Sequence, residues 1–256
     1  MQTHLLSAKS QVFVGLKRYG GSTVEFLKRI GCLEDWASFA HSIWLDPAEV
    51  RLMAGSAATV VHNPISNAKL GVGIAPIVEL RRAGGKVAIG SDGSSSADGQ
   101  NMFETVKAAA TVHRHNHRYE DWILAEDALE MCWRGGASVL GQSVGRLAAG
   151  YAADLVLLGT RHLFITPKEQ LAGQIVHSEL GQSVDTVIIG GEIVFANGRF
   201  TRIDEDAIHA EAQEILSRVY SGMAERERRF AEMYPVYRDI ERAVTAAQLP
   251  FTRYCG

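Results

Sequence analysis

Short apolar runs that stop abruptly at polar residues recur through the first hundred positions. Ala58 to Val61 ends at His62-Asn63 and Lys86 to Ile89 ends at Ser91-Asp92, with a helical stretch, Pro76 to Ala83, between them. Strand, helix and strand in that order form a unit whose polar strand ends are where ligands sit when parallel strands share a sheet or barrel. Upstream the pattern occurs twice more. Thr3 to Leu6 reads as the end of a strand, and Ser22-Thr23-Val24-Glu25 has the spacing of a capping box for a helix that Gly31 stops. Trp36 to Ala40 is a mostly apolar run ending at His41, after which Asp46-Pro47-Ala48-Glu49 opens a helix that Gly55 closes. An amphipathic stretch from Asn101 to about His113 follows the fourth strand. Four alternations predict an α/β fold with the pattern of half an eight-fold barrel.

Beyond this the chain changes character. Asp121 to Gly141 predicts a further helix against the barrel, and Gly150-Tyr151-Ala152-Ala153-Asp154 leads into a strand, Leu155 to Leu158. Asp185 to Ile189 and Glu192 to Ala196 flank Gly190-Gly191, a two-residue hairpin signal, because glycine readily takes the positive φ such turns need. Asp204 to about Met233 predicts one long, charge-rich amphipathic helix, and Tyr234 to Gly256 carries no readable pattern. The expected division is a partial barrel over 1–148, a small β appendage over 149–203 and a helical segment over 204–256.

Composition narrows the partners. A formal net charge of −3 over 256 residues gives no basic surface for nucleic acid or an anionic membrane, so a small molecule is the expected partner. No apolar run approaches the roughly 20 residues needed to cross a bilayer, and the first residues lack the pattern of a signal peptide. Cys32, Cys132 and Cys255 are widely spaced and odd in number, which argues against a disulfide framework or a cysteine zinc site and fits a cytoplasmic setting.

The strand ends carry the candidate chemistry: His4, His41, His62 and Asp92, one for each strand. Neutral imidazole and carboxylate are metal ligands, and four such groups in register point to a metal-centred site. Plainer readings stand beside this. His4 and His41 each fit a satisfied core histidine, His62 fits a hydrogen-bonding prop of the Asn63-Pro64 turn, and Asp92 fits a helix cap. His113, His115 and His117 alternate at the end of a predicted helix, where that spacing splays them, and they read as cations favoured by the helix dipole rather than as ligands.

Five segments in order, Thr3-His4-Leu5-Leu6, Ala40-His41-Ser42-Ile43-Trp44-Leu45, His62-Asn63-Pro64-Ile65-Ser66-Asn67, Gly90-Ser91-Asp92-Gly93 and Gly150-Tyr151-Ala152-Ala153-Asp154-Leu155, resemble the metal-dependent amidohydrolase superfamily. The similarity is to the branch holding cytosine, guanine and adenosyl-homocysteine deaminases with the triazine chlorohydrolases, and it runs to about Glu211. The resemblance implies the C-terminal part of a TIM (β/α)8 barrel, about strands five to eight, with strands of a small β-sandwich. It also implies one divalent metal ion, zinc ahead of iron, held by His4 and Asp92. His41 would polarise water or substrate, Asp92 would also take the water's proton, and Ser7, His62 and Asn67 would line the substrate. Two departures matter. The family's His-x-His pair on the first strand is absent from these residues, so the chain is expected to represent the C-terminal half of an enzyme. Where many members carry a proton-shuttling glutamate, three residues after the strand-five histidine, this sequence has Ser7, and a hydroxyl cannot hold a carboxylate's proton near neutral pH.

The expectation is a metal-dependent hydrolase of carbon-nitrogen bonds in a heterocyclic substrate, acting as a homo-oligomer in which a second copy covers the open strand edges. The alternative is a non-catalytic half-barrel serving as a scaffold or oligomerisation module.

Overall fold

A computed structural model describes residues 1–161 and 170–254, so Cys255 lies outside the described residues. The first part alternates as β1 (Gln2–Leu5), α1 (Lys9–Tyr19), α2 (Thr23–Arg29), β2 (Ser38–His41), α3 (Pro47–Ala54), β3 (Thr59–His62), α4 (Pro64–Lys69), α5 (Ile77–Arg82), β4 (Lys86–Ile89), α6 (Ser94–Ala97) and α7 (Met102–Thr111). All four strands run parallel, in the spatial order β1-β2-β3-β4. Consecutive strands are therefore neighbours, and every strand-to-helix loop opens at the same end of the sheet.

One face of this sheet packs on helices. Leu5, Phe39, Val60, Val87 and Ile89 share a buried apolar cluster with Val24, Val50, Ile77, Leu80 and Val106 of the helices. Val61 and Ala88 are buried but stand outside that cluster, as strand alternation requires of residues on the other face. His62 alternates with Val61 and so shares the helix-facing side with Val60.

The helix starts follow local hydrogen bonding. Asp46 caps α3 by accepting from the Ala48 and Glu49 amides, while the Glu49 carboxylate accepts the Asp46 amide, and Pro47 occupies the first turn where its missing N–H costs nothing. Ser22 caps α2 through the Val24 and Glu25 amides, but its hydroxyl donates to Glu49 of α3, 2.5 Å away, so the reciprocal partner is not Glu25. Burial raises the Glu49 carboxyl above its ordinary pKa, opposed by the bonds from Ser22 and Asp46.

The second part comprises α8 (Ala125–Glu130), a π-helical turn over Met131–Gly135, α9 (Gly136–Leu140), β5 (Leu155–Leu158), α10 (Leu171–His177), β6 (Val184–Ile189), β7 (Glu192–Ala196), β8 (Arg199–Phe200), α11 (Glu205–Ser221) and α12 (Met223–Ala246). β5 to β8 form an antiparallel sheet in sequence order. Its central hairpin turns at Gly190 and Gly191, with φ of 58° and 84°, the values its glycine pair predicts.

Several elements differ from the expected ones. The helix expected over Asn101–His113 stops at Thr111 and gives way to a 3-10 turn, Val112–His115. The helix expected over Asp121–Gly141 forms from Ala125 to Leu140, with a π turn between α8 and α9, and follows a 3-10 turn that ends at Asp121. The long helix after Asp204 breaks at Gly222 and then continues to Ala246, through what read as a patternless tail. The end of that tail docks on the first part: the Trp44 ring lies 5.1 Å from Tyr254 and 6.3 Å from Phe251, and the Ile74 amide donates to the Arg253 carbonyl at 2.7 Å. No helix among the described residues is long and apolar enough to cross a membrane.

The two edges of the parallel sheet are unlike. Gln2, Thr3 and His4 of β1 are exposed, and among the described residues no strand pairs with the outer side of β1. At β4 the π turn lies against the backbone so closely that a Cβ on Gly135 would fall 2.2 Å from the Val87 carbonyl oxygen and 2.6 Å from the Ala88 Cα. Backbone cannot yield as a flexible side chain does, so Gly135→Ala is expected to destabilise the chain by about 1–3 kcal/mol, the range for overpacked cores. Urea unfolding checks this; an unchanged midpoint would mean that the π turn is free to lift away from β4.

Candidate metal centre

The ends of β1 and β2 and the loop after β4 bring three side chains together. One ligand atom each from His4, His41 and Asp92 lies within 4.8 Å of the other two. Strand register alone would not do this. His4 pairs with Ala40 and Leu5 with His41, so an extended His41 would share the helix-facing side with Leu5. Instead His41 has φ of 69° and Ser42 of 49°, left-handed backbone that swings the imidazole round to stack on His4, with ring centroids 5.2 Å apart and planes inclined by 15°. Leu6 and Asp92 also take positive φ, 45° and 60°. Such backbone is strained for residues with a Cβ and persists where surrounding bonds over-determine it. Here the Ser42 amide donates to the Leu5 carbonyl, and the Ile43 and Trp44 amides both donate to Leu6.

His41 is buried and Asp92 partly so, while His4 is exposed. The His41 Nδ1 is 2.8 Å from Asn67 Oδ1, and its Nε2 is 3.8 Å from Asp92 Oδ2. Asp92 Oδ2 accepts the Ser66 hydroxyl at 2.5 Å and Oδ1 accepts the Gly93 amide at 2.8 Å. Burial alone would raise the Asp92 carboxyl, but those two donors, with the neighbouring His41 and His4, hold it below its ordinary pKa. An ionised carboxylate beside two imidazoles is a donor set that zinc accepts, and the observed spacing fits one ion.

The other expected site residues lie outside this trio, Asn67 directly against it. Ser7 follows β1, where its amide donates to Gln11 Oε1 at 2.7 Å, and it joins none of the three clustered groups. Asn67 is 3% exposed and holds His41 rather than facing solvent. His62 is 1% exposed, on the helix-facing side of β3, with its Nε2 3.2 Å from the Nε2 of His113. His113, read above as a cation at a helix end, is wholly buried, and burial with the nearby His117 lowers its pKa to about 3. The helix stops short of it and the 3-10 turn folds it inward. Burial, with His113 and His41 nearby, likewise puts His62 well below its ordinary pKa. Ser66 is the residue the sequence reading passed over; its signal was its place beside Asn67 in a turn opened by Asn63-Pro64. A groove lined by Leu129, Trp133, Leu147 and Leu171 shares no residue with the cluster, so here the donor chemistry, not concavity, marks the site.

Comparison with known proteins identifies the family. The amidohydrolase family matches residues 1–194. A 5'-deoxyadenosine deaminase of Methanopyrus kandleri is 33% identical over 222 residues, covering 86% of this chain and 52% of that protein. A 5-methylthioadenosine/S-adenosylhomocysteine deaminase of Pyrococcus furiosus is 33% identical over 205 residues, covering 80% and 49%. Among solved structures, a zinc-bound adenosine deaminase from Xanthomonas campestris superposes with a TM-score of 0.82 at 28% identity, covering 86% of this chain and 51% of that one. A zinc-complexed atrazine chlorohydrolase from Arthrobacter aurescens gives a TM-score of 0.77 at 27% identity, covering 83% and 48%. The chain spans about half the length of the relatives it matches. On the family match and the deaminase relatives together, this chain belongs to the amidohydrolase family.

Proposed function

We propose that this chain carries part of the active site of a zinc-dependent hydrolase that replaces an amino group on a heterocycle by oxygen. The observation that carries the reading is the convergence of His4, His41 and Asp92 at the ends of three parallel strands. His4 and Asp92 would hold the ion, which when bound lowers the pKa of a water toward neutrality. Asp92, whose carboxyl is held below its ordinary pKa, would accept the proton of a water that attacks the ring carbon. The Nε2 of His41 faces the same space and polarises the water or the ring nitrogen. Ammonia leaves once a proton reaches the departing nitrogen. The substrate class follows the relatives, whose names specify adenine nucleosides.

Ser7 supports a second reading. With a hydroxyl where many family members place a carboxylate, delivery of that last proton is impaired, and a leaving group such as chloride, which departs without one, fits better; one structural neighbour is an atrazine chlorohydrolase. The test is a zinc-loaded assay of ammonia release from 5'-deoxyadenosine and S-adenosylhomocysteine and of chloride release from atrazine, on the chain and on Ser7→Glu. Ser7→Glu is expected to raise ammonia release by about 10-fold or more, at the low end of general acid catalysis. Equal rates, or release of neither product by a longer chain carrying this sequence, would count against the reading.

The exposed edge of β1 supports association with a second copy of the chain. Light scattering across the eluting peak should give twice the chain mass; a monomer would count against it.

A further inference from the structure

We propose that Ser66 and Asn67 form a clamp that holds Asp92 and His41 in fixed register and fixes the protonated nitrogen of His41. The inference rests on the functional reading only for what the site does, and on this geometry for how it is held. Because β3 lies between β2 and β4, its loop emerges between those carrying His41 and Asp92. Asn63-Pro64 turns that loop at once into α4, and neighbouring residues of a helix project about a quarter-turn apart. Asn67 thereby reaches back to His41 at 2.8 Å while Ser66 reaches across to Asp92 at 2.5 Å. Both clamp residues are buried, 0% and 3% exposed. Both groups they hold sit on left-handed backbone, the strained geometry that needs outside bonds to persist.

The chemistry of the bonds sets the protonation. Asn67 Oδ1 only accepts, so the His41 nitrogen facing it, Nδ1, carries the hydrogen, and the lone pair is left on Nε2, toward Asp92. A neutral amide does this without adding charge. An aspartate in its place would also accept the N–H but would set a negative charge beside the ring. Ser66 gives its only proton to Asp92 Oδ2, so the carboxylate cannot rotate without losing that bond and the one from Gly93.

The test uses metal-free chain carrying nitrogen-15 histidine, with the His41 signals among the nine histidines assigned by difference from His41→Gln. Expected in the wild type is a protonated Nδ1 and a bare Nε2. Asn67→Ala should move most of the population to protonated Nε2, and Asn67→Asp, which keeps the acceptor and guards against a failure to fold, should keep Nδ1 protonated. Ser66→Ala should weaken zinc binding by about 10- to 100-fold, as loss of a group supporting a ligand typically does. Protonated Nε2 in the wild type, or an unchanged ratio in Asn67→Ala, overturns the assignment to Asn67; unchanged zinc affinity in Ser66→Ala overturns that to Ser66. Failure of the functional reading looks different: the wild type would bind no zinc and turn over nothing while its His41 spectrum still reported the Asn67 bond.

Discussion

Asp92→Asn is expected to leave the fold intact and to reduce turnover in the proposed hydrolase by about a thousand-fold or more. The substitution is close to isosteric. Asparagine, like aspartate, tolerates the φ of 60° found here, and its one oxygen can keep either the Ser66 or the Gly93 bond. What it loses is the negative charge held between His4 and His41 and the atom that takes the water's proton. Removal of a positioned acid or base alone costs about 100- to 10,000-fold, and here an expected zinc ligand changes in the same step. Zinc retained after dialysis and steady-state rates are the two measurements. Activity within ten-fold of wild type would remove Asp92 from the chemistry.

Acid is expected to destabilise the chain well before its carboxylates titrate. His113 has its pKa lowered from 6.5 to about 3, and that of His62 is also far below 6.5. A histidine depressed in the folded state binds more protons when unfolded throughout the interval between the two values, so stability rises with pH there. The contribution is present above 6.5 and is lost as pH falls below it, at about 1.4 kcal/mol per pH unit for His113. From pH 7 to 5 His113 should therefore cost roughly 2 kcal/mol, a sizeable share of the about 5–15 kcal/mol typical of a domain, and His62 acts in the same direction. The depressed carboxyls of Asp92, Asp127 and Glu179 act in the same direction only below about pH 4. Urea unfolding at pH 7 and pH 5 measures the loss. The double variant His62→Leu/His113→Phe, which removes both members of the pair, should flatten it. A wild-type midpoint independent of pH over this range would show that the two rings are solvated.

Much of this arrangement could be read from the chain because its signals are local. The Asp46-Pro47-Ala48-Glu49 cap, the Gly190-Gly191 turn and the polar residues ending each apolar run need no knowledge of distant contacts. What escaped depends on tertiary context. α1 follows Ala8, whose side chain caps nothing, so no local signal announced it. The π turn sets Gly135 against β4, a contact nearly fifty positions away in the chain. His113 looked like a cation at a helix end because it stands with Arg114, His115 and His117 after an amphipathic stretch, yet its environment is set by His62, 51 residues earlier. Of the site itself, His4, His41 and Asp92 could be named from strand ends. The left-handed turn at His41 could not, and neither could the bonds from Ser66 and Asn67, which depend on β3 lying between its neighbours.

The docking of the tail has a kinetic consequence. An Arg253 guanidinium N–H donates to the Leu45 carbonyl across 208 positions, and Phe251 and Tyr254 pack on Trp44 in the same contact. Closing so long a loop is entropically expensive and brings no return until both ends are already ordered. The strands and their helices, built from near-neighbour contacts, therefore come together first, and the tail seals them afterwards. Interactions absent from the folding transition state act on the reverse rate. The last residues of this chain thus lengthen the lifetime of the native state without hastening its formation.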